Sequence, residues 1–466
     1  MPVDAAVASG LGPSERTPLV PDTQKAAAEE SERRTATLRL VATAGAGLVA
    51  DGYDLSVINI SLAILTKLYP ESINVSGQGL IACMTLIGVV VGQVTFGTVA
   101  DILGRRRASI ATAVLVIAGA LLSACVSDSG RGGISLQLMT CRLLLGLGVG
   151  GEYPLSAAIS KEAGHDLCLT RPQLLIVNVL MFNVGVILQA VLVLSLLSAG
   201  VGLEAVWRLA LACGAVPSVL AFALRLQMHE PEEAAAPAAG HGHGEQWHEI
   251  REVFRSKWHV FTGACVSWML FNFVGYGQST FSSIICEQML GLAGNSVYSA
   301  VSRDAWFALV LGICAAMGNL VGFVLEAKTS RCGHQLIGFA GMATCNLVNG
   351  TLLGVLPQSM AWLLVAIFCV NAVAHAQVGI TTYLVPTESF PAVARGTCVG
   401  LSAACGKVGA AVGTGLFPTV QATLGLGSVM TFCGGLLLFA CVVTWNMTPR
   451  GGDLAKGSLE RQDFRW

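Results

Sequence analysis

The chain reads Arg142-Leu-Leu-Leu-Gly-Leu-Gly-Val-Gly-Gly-Glu152-Tyr-Pro-Leu-Ser156 in the middle of a long apolar run. In lipid, a charged side chain at mid-helix costs about 2.5–3.5 kcal/mol on insertion scales. Arg142 and Glu152 are therefore expected to face a polar interior. The regularly spaced glycines would let a neighbouring helix approach closely. The pattern fits either a helix-packing motif with one buried ion pair or a helix that lines a solute path.

The composition is typical of a polytopic membrane protein. Of 466 residues, 54% are hydrophobic and only 12% are charged. A helix needs about 20 apolar residues to cross a hydrocarbon layer of about 30 Å, and about twelve such runs follow one another here. The net charge of −1 gives no indication of a nucleic-acid partner. The fifteen cysteines lie mostly in apolar runs, where cysteine acts as a small hydrophobe rather than as part of a disulfide framework.

The polar breaks predict two six-helix bundles, at 36–228 and 258–447. Residues 1–35 lack apolar side chains in sufficient number for a core and are expected to form a disordered tail. A long polar break at 229–257 is interpreted as a linker, and 448–466 as a second polar tail. Basic residues concentrate in alternate loops, so the positive-inside rule predicts that both tails and the linker are cytosolic.

The first apolar run contains two carboxylates, Asp51 and Asp54. They are three residues apart and therefore share one face of a helix. Carboxylates close together in a site of low dielectric can hold and exchange protons, which is the property of a proton carrier. A structural hydrogen-bond cluster is the alternative interpretation.

The second run ends in Gly97-Thr-Val-Ala-Asp101-Ile-Leu-Gly104-Arg105. An acidic residue at a helix end, a glycine turn and a basic cluster can form a charge clasp against neighbouring helices. A plain cytosolic basic anchor is the alternative.

An internal repeat relates the two halves. The spacing Gly97-x-x-x-Asp101 recurs 225 residues later as Gly322-x-x-x-Glu326. Two related six-helix halves with polar residues at mid-depth are the layout of an alternating-access carrier. The same offset aligns further polar residues of the two halves: Asp51 with Tyr276, and Glu152 with Gln377.

Polar residues of the second half also fall inside apolar runs. Trp268, Asn272 and Tyr276 are spaced i, i+4 and i+8, so they form one stripe on a helix. Lys407 is alone among alanine and glycine, and a buried lysine in lipid needs a partner. The stripe supplies neutral donors and Lys407 supplies a positive charge, which together suit an anion. Glu152 would repel that anion unless protonated, so proton and anion binding would be linked.

These motifs resemble those of the major facilitator superfamily. The stretch from Gly97 to Arg105 is similar to its loop between helices 2 and 3, although Ile102 stands where a basic residue is usual. The helix 4 stretch is most similar to that of the phosphate:proton symporters, whose marker reads Gly-Gly-Asp-Tyr-Pro-Leu-Ser where this chain has Gly-Gly-Glu152-Tyr-Pro-Leu-Ser156. The stretches after Asp51 and around Lys407 are also similar to that family.

The resemblance implies an all-α membrane protein with twelve transmembrane helices in two six-helix halves, the major facilitator fold. It implies proton-coupled uptake of inorganic phosphate by alternating access, without enzymatic activity or cofactor, in a lipid bilayer that we expect to be the plasma membrane. The residues expected to move protons are Asp51, Asp54 and Glu152. The residues expected to bind substrate are Tyr153, Trp268, Asn272, Tyr276, Gln377 and Lys407. The residues expected to serve gating or structure are Gly97, Asp101, Gly104, Arg105, Arg142, Glu388 and Arg395.

Three positions depart from the family pattern. Asn272 replaces an aspartate of helix 7, Phe182 a glutamine of helix 5 and Gly379 an asparagine of helix 10. Gln377 or His375 is expected to supply a donor in their place. The departures keep two alternatives open: transport of another anionic solute, such as a glycerophosphodiester or an organic anion, and a nutrient sensor that binds without transport.

Overall fold

The computed structural model describes residues 45–103, 105–128, 133–163, 171–226, 251–290 and 296–450. Within these ranges the chain is helical, with no β-strand. Eleven of the described helices are long and apolar enough to cross a membrane. The predicted all-α membrane fold is thereby confirmed.

The first half contains six helical spans. They are α1 (Gly45–Leu68), α2 (Val75–Leu103), α3 (Arg105–Ala124), α4 (Gly133–Ala163), α5 (Arg171–Ser198) and α6 (Leu203–Leu226), the last with a turn at Gly214. The first apolar run predicts that α1 begins near residue 37, which lies outside the described residues.

The second half repeats this order after a short helix at 251–256, which lies inside the segment predicted as a linker. The spans are α7 (Trp258–Thr280), α8 (Val297–Lys328), α9 (Arg331–Leu352), α10 (Ala361–Ser389), α11 (Ala392–Leu424) and α12 (Leu426–Met447). A further short helix, Ser282–Leu290, follows α7.

Two of these helices differ from the sequence prediction. The apolar run predicts that α8 begins near residue 305, whereas the helix begins at Val297, because Ser296 caps it by accepting a hydrogen bond from the Ser299 amide at 3.3 Å. α9 does not qualify as a span by composition because it buries polar side chains, among them His334 and Asn346. Those side chains bond to other helices of the second half and do not face lipid.

Glycine sets the closest helix crossings within each half. A Cβ at Gly146 of α4 would lie 2.0 Å from the Thr85 carbonyl oxygen of α2, so the glycine motif is a helix-packing surface. α1 and α5 cross in the same way, and so do α7 and α11, where a Cβ at Gly413 would lie 2.1 Å from the Phe273 carbonyl oxygen. These crossings fix the depth at which polar side chains of neighbouring helices meet.

The halves meet along α2 with α11 and along α5 with α8. We call the side of the bundle that carries residues 69–74 the loop face and the other side the linker face. On the loop face, a Cβ at Gly79 would lie 2.3 Å from the Gly415 carbonyl oxygen. The Asn59 amide donates to Ser282 Oγ at 2.7 Å, and Ser283 Oγ donates to Asn59 Oδ1 at 3.2 Å. These contacts close the loop face.

Candidate functional site

A cluster of buried charged side chains occupies the first half. Asp51 and Asp54 are each 1% exposed, and Arg142 is fully buried. Arg142 Nη1 donates to the backbone carbonyl of Asp54 at 3.2 Å. Among the described residues, neither carboxyl oxygen of Asp51 or Asp54 has a hydrogen-bond partner. The two aspartates are thus free to gain or lose a proton without breaking a direct bond.

Glu152 is paired with an arginine that the sequence interpretation missed. Its Oε1 accepts a hydrogen bond from Arg225 Nη1 at 2.9 Å, and the two side chains are 3% and 6% exposed. Arg225 also donates to the Ser109 carbonyl at 3.2 Å. The pair packs against Gly47 of α1, where a Cβ would lie 2.7 Å from Glu152 Oε2. The negative charge of Glu152 is compensated by this ion pair, and its expected role in moving protons stays a prediction.

A sequence signal for Arg225 exists, since an arginine inside an apolar run must find a partner. What the sequence does not give is which carboxylate that partner is. Arg225 lies near the end of α6, 73 residues from Glu152.

The turn in α6 makes room for Asp54. A Cβ at Gly214 would lie 1.9 Å from Asp54 Oδ1, which is closer than any real contact. Glycine at this position therefore allows the carboxylate of α1 to lie directly against the backbone of α6.

The second half contributes a buried cation and its donors. Lys407 of α11 is 5% exposed, and its Nζ donates to Tyr276 Oη at 2.6 Å. Gly406 lies against the other two members of the stripe, with its Cβ position 2.5 Å from Trp268 Cδ1 and 3.0 Å from Asn272 Nδ2. The Trp268 ring packs edge-to-face on Tyr383 at 4.8 Å between centroids. The predicted stripe and Lys407 are therefore brought together.

The two sets of charges meet across the halves. Asp51 interacts electrostatically with Lys407 as well as with Glu152 and Arg225. Tyr276 packs partly buried in an apolar cluster that contains Leu55 of α1. A buried cation from one half and buried carboxylates from the other thus share one region between the bundles.

Gln377 lies apart from this region. Its Nε2 donates to the Gly318 carbonyl at 2.7 Å and to the Val373 carbonyl at 3.0 Å, and its Oε1 is 2.9 Å from His334 Nε2. The amide faces α8 and α9 and is occupied there, so the structure does not bring Gln377 together with Lys407. His375 instead packs on Phe271 at 4.5 Å between ring centroids.

A charge clasp forms on the linker face of the second half. Arg331 Nε and Nη2 donate to the two carboxyl oxygens of Glu388 at 2.8 and 2.9 Å. Arg331 also lies 2.9 Å from Glu326, the residue that the repeat aligns with Asp101. Arg395 Nε donates to the Phe390 carbonyl at 3.2 Å.

Some of the expected site residues cannot be placed. Gly104 and the side chains of Tyr153, Asp101 and Arg105 lie outside the described residues, and of Gly97 only the helical backbone within α2 is described. Their roles stay predictions.

The sequence of the chain is similar to those of known transporters. Residues 40–451 match the family model described as "Sugar (and other) transporter". The chain is 30% identical over 403 residues to the inorganic phosphate transporter PT2 of Toxoplasma gondii, covering 85% of this chain and 69% of that one. It is 27% identical over 388 residues to glycerophosphoinositol permease 1 of Candida albicans, covering 83% and 73%.

The fold also has a solved counterpart. A crystal structure of a D-xylose-proton symporter matches with a TM-score of 0.72 at 21% identity, covering 89% of this chain and 98% of that one. The match shows that both chains share the transporter fold.

Proposed function

The chain belongs to the sugar (and other) transporter family, and from this premise we propose that it carries inorganic phosphate together with protons across a membrane by alternating access. The observation that carries the proposal is the buried Lys407, whose Nζ donates a hydrogen bond to Tyr276 Oη at 2.6 Å. The charge of Lys407 also acts on Asp51 of the other half. A relative 30% identical to it carries the name inorganic phosphate transporter.

The second half offers the groups that an oxyanion needs. Lys407 supplies a positive charge in a site removed from water, where charge-assisted hydrogen bonds are strongest. The Tyr276 hydroxyl accepts from Lys407 and keeps its own proton for donation to a phosphate oxygen. The Trp268 indole and the Asn272 amide add neutral donors on the same stripe. Neutral donors surrounding one cation suit a small anion better than a cation or a neutral sugar.

Asp51 is the best candidate for the residue that carries the coupled proton. Protonating Glu152 would break its 2.9 Å ion pair with Arg225, whereas Asp51 has no described hydrogen bond to lose. Because Asp51 also interacts with Lys407, its charge state and the binding of an anion at Lys407 are linked. A proton on Asp51 removes a negative charge from the neighbourhood of the anion, so each ligand favours the other.

Uptake of radiolabelled phosphate into proteoliposomes, with and without an imposed proton gradient, tests the function. We expect an inward proton gradient to drive accumulation. The D51N variant should lose that dependence yet still exchange phosphate across the membrane at equal pH. Accumulation that is identical with and without the gradient in the parent protein would rule out proton coupling.

A glycerophosphodiester is a second candidate substrate, favoured by the space at Gly379. A Cβ at Gly379 would meet only Phe271 Cζ, at an ordinary van der Waals distance of 3.6 Å. A side chain would fit at this position, so the glycine leaves space unfilled. Two relatives carry glycerophosphoinositol in their names. Competition of phosphate uptake by glycerophosphoinositol tests this candidate. G379N should weaken the competitor more than phosphate, while equal effects on both would count against a widened pocket.

We further propose the plasma membrane as the location, with both termini and the linker in the cytosol. The bundle limits 36–228 and 258–447 and the polar segments 1–35, 229–257 and 448–466 belong to the same proposal. Basic residues on the linker side support this orientation. A terminal epitope tag should be detected by antibody in permeabilised cells and not in intact ones.

A further inference from the structure

A small cavity lies between the two halves on the loop face. Its volume is ≈ 50 Å³, and both halves line it. Its lining includes Asn59 and Lys67 of α1, Glu287 of the short helix Ser282–Leu290, and Asp304 of α8. None of these side chains belongs to the site around Lys407.

Asp304 is a buried carboxylate beside this cavity. The side chain is 3% exposed, and its Oδ1 has no hydrogen-bond partner among the described residues. Leaving a buried carboxylate oxygen unbonded is costly, so such a group requires a cation or a proton. The charged groups that interact with it come from three elements: Lys67 of α1, Glu287 of the short helix and Arg303 of α8. α2 lines the cavity with the neutral Gln78, and the thiol of Cys286 lies beside Arg303.

The charges are distributed so that they draw the halves together. Lys67 belongs to the first half, whereas Asp304 and Glu287 belong to the second. Their attraction acts across the same seam that Asn59 closes through hydrogen bonds to Ser282 and Ser283. Neutralising Asp304 would remove its attraction for Lys67 across this seam.

We propose that the buried Asp304 is a proton-binding site that controls the opening of the loop face. In the charged form the carboxylate attracts Lys67 and keeps the halves together; a proton on the site releases them. Opening would also free Lys67 to meet an incoming anion. The inference rests on the proposed proton-coupled transport and adds a second proton site, distinct from Asp51.

Opening of the cavity can be measured without any substrate. Ala63 lines the cavity, so the A63C variant reports its accessibility to a membrane-impermeant methanethiosulfonate reagent. The native Cys125 is exposed on the same face and serves as the internal reference. Peptide mass spectrometry of the full chain in liposomes gives the ratio of modification at the two positions. The ratio cancels both the orientation of the protein and the effect of pH on thiol reactivity.

The comparison uses D304N in the A63C background, with E71Q as the matched control. Glu71 is an exposed carboxylate of the loop face that does not line the cavity. In the parent, the ratio of modification at A63C to modification at Cys125 should rise about fivefold or more on going from about pH 7.5 to about pH 5.5. A fivefold change is about the lower end of ordinary coupling effects. D304N should be modified at the high level at both pH values, and E71Q should follow the parent.

Equal ratios for D304N and the parent at both pH values would overturn the proposal. If D304N fails to fold, K67Q supplies the same information, because removing the cation must also raise the ratio and flatten its pH dependence. Since no phosphate is present, a failed gate and a failed phosphate uptake are separate results. If phosphate uptake depends on the proton gradient but D304N and the parent give the same modification ratio, only the proposed gate is refuted.

Discussion

Removing one partner of the ion pair between Glu152 and Arg225 should destabilise the chain strongly, and a double-mutant cycle can measure the coupling between the two side chains. The pair has a 2.9 Å bond and side chains only 3% and 6% exposed, so solvent screens it little. Removing one partner of a buried ion pair costs about 3–5 kcal/mol, because the other charge stays buried and uncompensated. R225M should therefore lose that amount. E152Q should lose less, because Asp51 remains near Arg225 and partly compensates it.

Removing both charges together should restore most of the loss. Replacing a buried pair by uncharged groups of similar size is often neutral, so E152Q/R225M should be far more stable than the sum of the single losses predicts. The assay is unfolding of the detergent-solubilised chain at fixed pH, followed by tryptophan fluorescence. K328Q, which removes an exposed lysine at the end of α8, is the control and should stay within about 0.5 kcal/mol of the parent. Strictly additive losses in the double variant would refute a direct pair.

Other perturbations follow from single contacts. K407Q should lower phosphate uptake by about tenfold or more, because a hydrogen bond to a charged group is worth about 1.5–3 kcal/mol. K407R keeps the positive charge, so equal uptake by K407Q and K407R would contradict a role for the charge. D51N should abolish accumulation driven by an inward proton gradient while a tracer exchange assay at equal pH stays active. G214A should destabilise the chain by about 1–3 kcal/mol in thermal unfolding, because its Cβ would overlap Asp54 Oδ1. R331Q should break the clasp on the linker face and increase proteolysis there, and an unchanged digestion pattern would speak against it.

The family character of the chain could be read from its sequence. Apolar length, glycine spacing and charges inside apolar runs are local properties, and lipid allows few alternatives to a helix. The stripe of Trp268, Asn272 and Tyr276 was likewise predictable, since residues four apart must share a helix face.

Only the tertiary structure decided which polar groups meet. In the structure, Glu152 pairs with Arg225, and the Gln377 amide forms its hydrogen bonds towards α8 and α9. The hydrogen bond between Asn59 and Ser282 closes the loop face. Helix periodicity fixes the face on which a side chain lies but not which distant helix packs there. That choice depends on glycine crossings and on the requirement that buried charges find partners, which are properties of the whole bundle.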